Sequence, residues 1–217
     1  MINKLKSKPT YTYNSGFTLI EILIVVVIIA GVFAIFAPNF FTKSDRELRS
    51  EIRRMSLLAR DVRNRALITK NTHRIVFNIQ KDSVTFVVEE AQGRVLLDDP
   101  DDRLKFINSK KNFTDAELEA YMKSNPFKPV ERFSKKGPLK LAPELTIKQI
   151  ELQGIKEQFK SGEIQIYFMP EGFVELAVIQ VQTRDEALKW TLVTSPLTGL
   201  MDVFEGHINM QAVEDRE

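Results

Sequence analysis

The feature that most constrains this chain is an apolar run near its N-terminus. Residues 17–37 form a stretch of 21 residues with a single ionisable side chain, that of Glu21. A helix of about 20 apolar residues is long enough to cross the hydrocarbon core of a bilayer. A helix also satisfies its own backbone hydrogen bonds where water is absent. The sequence therefore predicts a transmembrane helix over residues 17–37.

Glu21 needs an explanation within this run. A carboxylate in a membrane helix costs about 2.5–3.5 kcal/mol on insertion scales, so it needs a compensating partner. One partner is the positive end of the helix dipole. Another is the amine that a cut after Gly16 would create on Phe17, one helical turn away or on a neighbouring chain. These residues predict a membrane helix that is processed at Gly16 and then self-assembles.

The segment Gly16–Glu21, followed by the apolar run, resembles the class III signal of type IV pilins and pseudopilins, known as the N-terminal methylation motif. The resemblance implies that a prepilin peptidase cuts between Gly16 and Phe17 and that the Phe17 amine is methylated. It also implies that Glu21 directs packing into a filament, with other pilins or pseudopilins and an inner-membrane assembly platform as partners. The competing interpretation is a plain signal anchor. A secretory signal peptide fits less well, because its cleavage site follows the apolar region.

The predicted leader, residues 1–16, sets the expected orientation in the membrane. It carries Lys4, Lys6 and Lys8 and no acidic residue. Lysines beside a membrane helix keep that end in the cytoplasm. We therefore expect a single-pass protein of the inner membrane, with its C-terminal domain in the periplasm of a Gram-negative cell.

After the apolar run, the sequence predicts that the helix continues to about residue 70. Pro38 removes one helical hydrogen bond and marks either a simple membrane exit or, as in the pilins that the motif resembles, a point of helix flexibility. Six apolar residues then repeat at helical spacing: Leu48, Ile52, Met55, Ala59, Val62 and Ala66. The opposite face is basic, with nine Lys or Arg against four Asp or Glu over 43–70, a balance of 9 − 4 = +5. We expect this face to be solvated or to contact acidic groups of neighbouring subunits. A nucleic-acid partner is the less favoured interpretation.

The remaining residues, 71–217, are enough for one globular domain. Alternating apolar residues predict a hairpin over 75–88 and four further strands over 164–204 in one antiparallel sheet. The expected fold class is α+β and pilin-like, with the long N-terminal helix packed on an antiparallel β-sheet domain. A second resemblance lies in Phe168–Gly172 and in Trp190–Val193 leading into Pro196–Gly199. These segments are similar to the C-terminal sheet of H-type minor pseudopilins of type II secretion and of FimT-like minor pilins.

The segment from about 94 to 160 is predicted to be an insertion in this domain. The acidic run Asp98–Asp102 has oxygen ligands for calcium but lacks the spacing of an EF-hand loop, and a solvated loop is the favoured interpretation. Thr114 and Glu117 form a capping box, which predicts a short helix ending at about Lys123.

The sequence offers no convincing catalytic constellation. It has no cysteine, its two histidines are not spaced as metal ligands, and no glycine-rich loop joins a strand to a helix. We expect no enzymatic activity and no cofactor. The primary hypothesis is a minor pseudopilin of a type II secretion system. The alternatives are a minor type IV pilin for adhesion, motility or DNA uptake, and a membrane-tethered enzyme or binding domain.

Overall fold

The computed structural model describes residues 18–36, 43–97, 99–110, 112–134 and 137–215. The chain divides into two compact units, residues 1–42 and 43–217. The first unit contributes one described helix, α1 (Leu19–Phe36), in which Glu21 is the only charged residue. No helix in the described ranges meets the length and hydropathy that a membrane span requires. The transmembrane segment over 17–37 remains a prediction.

The second unit is an α+β domain built on helix α2 (Lys43–Thr69) and two antiparallel sheets. The first sheet has the strand order β3-β2-β1-β6, with β4 also paired to β2, and the second has the order β5-β7-β8-β9. The strands are β1 (Thr72–Ile79), β2 (Val84–Ala91), β3 (Lys128–Pro129), β4 (Leu139–Lys140), β5 (Leu145–Leu152), β6 (Gly162–Phe168), β7 (Ala177–Thr183), β8 (Lys189–Thr194) and β9 (Met201–Glu205). The remaining helices are α3 (Pro100–Lys110), α4 (Asp115–Ser124), α5 (Glu131–Ser134) and α6 (Met210–Glu214).

The apolar stripe of α2 forms the centre of the core, as the sequence predicts. The six side chains of the stripe, from Leu48 to Ala66, are all buried. They belong to one cluster with apolar residues of both sheets, and α2 contacts β1 and β6 of the first sheet and β7 and β9 of the second. Residues spaced by three and four lie on one helix face, so one face of a single helix packs against both sheets.

The predicted hairpin is confirmed, but the predicted single C-terminal sheet is wrong. Strands β1 and β2 pair from Thr72 opposite Ala91 to Ile79 opposite Val84. The first of the four C-terminal strands, β6, pairs with β1 in the first sheet, and β5 takes the edge position in the second sheet. Alternation identifies a strand and its buried face but carries no information on its partner. The chain therefore changes sheets between β6 and β7.

The segment 94–160 supplies elements to both sheets. Strands β3 and β4 pair with β2, and β5 pairs with β7. The capping box of Thr114 and Glu117 is present at the start of α4, as predicted. The acidic run is mostly the start of α3: Asp99 accepts a hydrogen bond from the Asp101 amide, and Pro100 is the first helical residue. Proline and acidic residues both suit a helix N-terminus.

Candidate assembly site

Glu21 lies in the first turn of α1, where it takes part in a reciprocal capping arrangement. The Glu21 backbone amide donates to Thr18 Oγ1 at 3.3 Å, and the Thr18 amide donates to Glu21 Oε2 at 3.4 Å. This is the pattern of a capping box, in which two otherwise unpaired amides are satisfied. Glu21 therefore has one of its two predicted partners in place, the positive end of its own helix.

The described side chains that surround Glu21 in α1 are mostly large, apolar and exposed. Every described side chain from Leu19 to Val32 is exposed, including those of Leu23 and Ile28. The predicted cleavage and methylation residues, Gly16 and Phe17, lie outside the described residues, and so does Pro38, the predicted point of helix flexibility. A helix that is apolar all round must be covered by lipid or by other chains.

Comparison with known proteins bears on this same segment. Residues 12–37 match the family model described as the prokaryotic N-terminal methylation motif. The chain carries this methylation motif. No curated protein and no solved structure gives a significant match to the chain. The match supports the resemblance to the type IV pilin and pseudopilin superfamily, and with it processing by a prepilin peptidase and assembly with other pilins.

Beyond the methylation motif, the outward face of α2 presents a row of arginines. Arg46, Arg53 and Arg60 are exposed and spaced by seven residues, which places each about 10 Å from the next along one side of the helix. No ion pair joins any of the three to another described residue. Two exposed apolar side chains, Leu57 and Ile68, lie on the same face. This face is the part of the helix that is available to a neighbouring molecule.

Another arginine of α2 explains why the two segments of the second resemblance contain glycine. Arg63 donates from Nε to the carbonyl of Gly172 at 2.8 Å and from Nη2 to the carbonyl of Leu197 at 3.1 Å. A Cβ at Gly199 would lie 1.9 Å from Arg63 Cδ, and one at Gly172 would lie 2.8 Å from Leu67 Cδ2. Both glycines also have positive φ. We call this arrangement the Arg63 clasp, because it ties two sheet turns to α2.

The outer face of the first sheet, away from α2, carries a buried polar network. Arg74 on β1 lies opposite Glu89 on β2 and Tyr167 on β6. It donates to the carboxylate of Glu89 at 2.8 Å and to the hydroxyl of Tyr167 at 3.3 Å. Arg103 of α3 forms an ion pair with Glu175. Burial raises the pKa of Glu175, and the Arg103 guanidinium opposes that rise.

Sequence reasoning did not identify this network, although the hairpin contained part of the signal. Pairing Ile79 with Val84 places Arg74 directly opposite Glu89, which makes an ion pair across the hairpin foreseeable. The contributions of Tyr167, Arg103 and Glu175 depend on the pairing of β6 with β1 and on the docking of α3, and local sequence patterns encode neither.

His73 is a structural residue within the described fold. Its ring is fully buried, with Nδ1 3.1 Å from the carbonyl of Asn71 and Nε2 3.6 Å from a carboxylate oxygen of Glu90. Burial lowers the pKa of His73 below its usual 6.5. No group of three or more His, Cys, Asp or Glu among the described residues is arranged to hold a metal ion. Asp98, part of the acidic run considered for calcium, lies outside the described residues.

Proposed function

We propose that the protein is a minor pseudopilin, a structural subunit of the pseudopilus of a type II secretion system, with no catalytic role. The observation that carries the proposal is the match of residues 12–37 to the N-terminal methylation motif. In this proposal a prepilin peptidase removes residues 1–16, and the amine of Phe17 is then methylated. The mature chain spans the inner membrane through 17–37, with residues 43–217 in the periplasm.

In the proposed assembly, α1 supplies the contacts between subunits. Its exposed apolar side chains pack against the same helix in neighbouring subunits once the subunit leaves the lipid. Glu21 then pairs with the amine of Phe17 on a neighbour, because an ion pair compensates a carboxylate that apolar surroundings would otherwise destabilise. Assembly proteins of the inner membrane drive growth of the pseudopilus, which pushes exported proteins towards the outer membrane.

Within the domain, the two segments of the second resemblance favour a minor pseudopilin. Each contains a turn that follows a C-terminal strand, and the Arg63 clasp holds both turns against α2. Their glycines therefore have a physical role in joining the sheets to the helix.

The test is the substitution Glu21→Ala, with Thr18→Ala as a matched control. Both changes remove the capping box, but only Glu21→Ala removes the carboxylate. We expect both chains to be cleaved after Gly16. The Glu21→Ala chain should then fail to enter the pseudopilus and should fail to restore secretion in cells that lack the native protein, whereas Thr18→Ala should retain most of both activities.

Two results would count against the proposed role of Glu21. Normal assembly and secretion by the Glu21→Ala chain would show that the carboxylate is dispensable. Equal defects in both variants would show that Glu21 acts only as a cap of its own helix. Cleavage is followed on immunoblots by the loss of residues 1–16, so failure to process is distinguished from failure to assemble.

A minor type IV pilin that takes up DNA is the second candidate, and the exposed Arg46, Arg53 and Arg60 row favours it. Phosphate contacts release counterions, so DNA binding through this row should weaken steeply as salt increases. Replacing the three arginines with glutamine should abolish such binding. Absent or salt-insensitive binding of DNA by the full chain in detergent would remove this candidate.

A further inference from the structure

A cavity of about 220 Å³ lies between the first sheet and the segment that contains α3 and α4. Its floor is the polar network on the outer face of the sheet, with Arg74, Gln165 and Tyr167. Its walls come from 95–97 and from α3, where Phe106 and Ile107 supply apolar surface. This lining is mixed, and small-molecule sites in proteins combine apolar walls with a few converging polar groups.

The polar groups of this cavity have more hydrogen-bond donors than the protein itself uses. A guanidinium has five N–H donors. Arg103 directs its Nη1 and Nη2 groups to Glu175 and to the carbonyl of Gln165, and its Nε has no acceptor among the described residues. Asn125 accepts from Arg74 and from the Phe127 amide through Oδ1, while its Nδ2 donates to no described residue. The cavity is therefore suited to a ligand that accepts hydrogen bonds.

The acceptors of the network, in contrast, are already occupied. The carboxylates of Glu89 and Glu175 both bind guanidinium groups, and Glu175 also accepts from the amide of Tyr167. The side-chain oxygen of Gln165 accepts from the Tyr167 hydroxyl. A cationic ligand would find no free carboxylate in this network, whereas a carboxylate would meet the remaining donors of two arginines. Guanidinium groups bind carboxylates through short, charge-assisted hydrogen bonds.

We propose that this cavity binds the carboxylate of a small apolar acid, with its head at Arg103 and Asn125 and its body against Phe106 and Ile107. The aromatic wall suits a ligand with an aromatic ring, because Phe106 and Tyr121 both line the cavity with ring centroids 5.3 Å apart. The hydroxyl of Tyr121 hydrogen-bonds to no described residue. The acid is either a free metabolite or the C-terminal residue of a peptide. Both sources present the same carboxylate and the same apolar group. The proposal does not depend on the role of the protein in secretion.

The test uses the full chain in detergent, with ¹³C labels in the isoleucine δ1 methyl groups, titrated with phenylacetate. The methyl resonance of Ile107 in the cavity wall should shift with a Kd of about 1 mM, typical of a ligand of this size. The resonance of Ile179, in the core of the second sheet, should not move. Benzylamine, with the same ring and a cationic head, should bind at least tenfold more weakly.

A matched pair of variants locates the binding. Ser124 lines the cavity and is exposed, and its hydroxyl donates to the carbonyl of Tyr121. Ser109 is also exposed and makes the equivalent bond to Phe106, but it lies outside the cavity. Ser124→Trp should weaken phenylacetate binding at least tenfold, and Ser109→Trp should leave it unchanged.

N-acetylphenylalanine, which imitates a peptide C-terminus, distinguishes the two sources of the acid. Binding at least as tight as that of phenylacetate identifies a peptide end, and much weaker binding identifies a free acid. Three results would overturn the proposal: no shift of the Ile107 methyl, equal binding of benzylamine, or undiminished binding by a folded Ser124→Trp chain.

Discussion

The two long helices of this chain bury their apolar side chains in different ways. In α2 the six residues of the apolar stripe are at most 6 % exposed, because the sheets of the same chain cover them. In α1 the large apolar side chains from Leu19 to Val32 are 47–82 % exposed, and they occur all round the helix. The apolar residues of α2 match the sheets of its own domain, whereas α1 is apolar on every side, which is typical of a helix that is covered all round. Folding of the domain and assembly of the subunit are therefore separable.

The largest effect is expected when the same charge is placed in each helix. Val62 of α2 is fully buried, and Val26 of α1 is exposed. Val62→Asp should lower the free energy of unfolding of the domain by about 4 kcal/mol or more, since it buries an unpaired carboxylate. Val26→Asp should leave that free energy unchanged and should instead impair membrane insertion and assembly. Denaturant titrations of both variants measure the difference, and an equal loss in the two would contradict the separation.

A smaller effect is expected at the Arg63 clasp, where two glycines of positive φ can be compared. Gly199 lies directly under the Arg63 side chain, whereas a Cβ at Gly206 would meet nothing within 4 Å. Gly206→Ala should cost about 1 kcal/mol, for the left-handed backbone alone. Gly199→Ala should cost about 3 kcal/mol, because overpacking against Arg63 adds to the backbone cost. Thermal unfolding of the two variants separates these contributions, and equal costs would mean that the clasp does not hold the turn.

The periodic parts of this fold are predictable from sequence, and the pairing of distant strands is not. The stripe of α2 and the hairpin over 75–88 repeat at fixed spacing, so their form and buried face follow from the residues. Residue spacing does not reveal strand β5, because its register shifts between Ile147 and Gln149. The shift moves the apolar positions from 145 and 147 to 150 and 152. A bulge adds one residue to a strand and reverses the alternation.

The same distinction applies to the functional residues. Gly16, Phe17 and Glu21 form one short motif, so the sequence alone identifies them. The cavity is assembled from β1, β6, residues 95–97, α3, α4 and the two residues that follow α4, which are far apart in the chain. Its residues include Arg74 and Arg103, which look like ordinary solvated arginines until the sheet pairing and the docking of α3 are known.

The smallest effect is expected at His73, whose side chain is buried in the folded domain. Because burial holds the pKa of His73 below 6.5, the unfolded chain binds a proton more readily than the folded one. The stabilising contribution is therefore complete above about pH 6.5 and is lost as the pH falls below it. Glu90 opposes this shift and Arg65 adds to it. The free energy of unfolding should fall less between pH 7 and 5 in His73→Gln than in the native chain, and parallel profiles would contradict the assignment.

The most direct measurement is the mass of the mature N-terminus, determined by mass spectrometry on protein isolated from its native membrane. Processing as a pilin-like subunit predicts a chain that begins at Phe17 and carries one methyl group on its α-amine. A chain that retains residues 1–16 would contradict this prediction. The helix α1 would then be a plain anchor, and the function would have to be sought in the domain of residues 43–217.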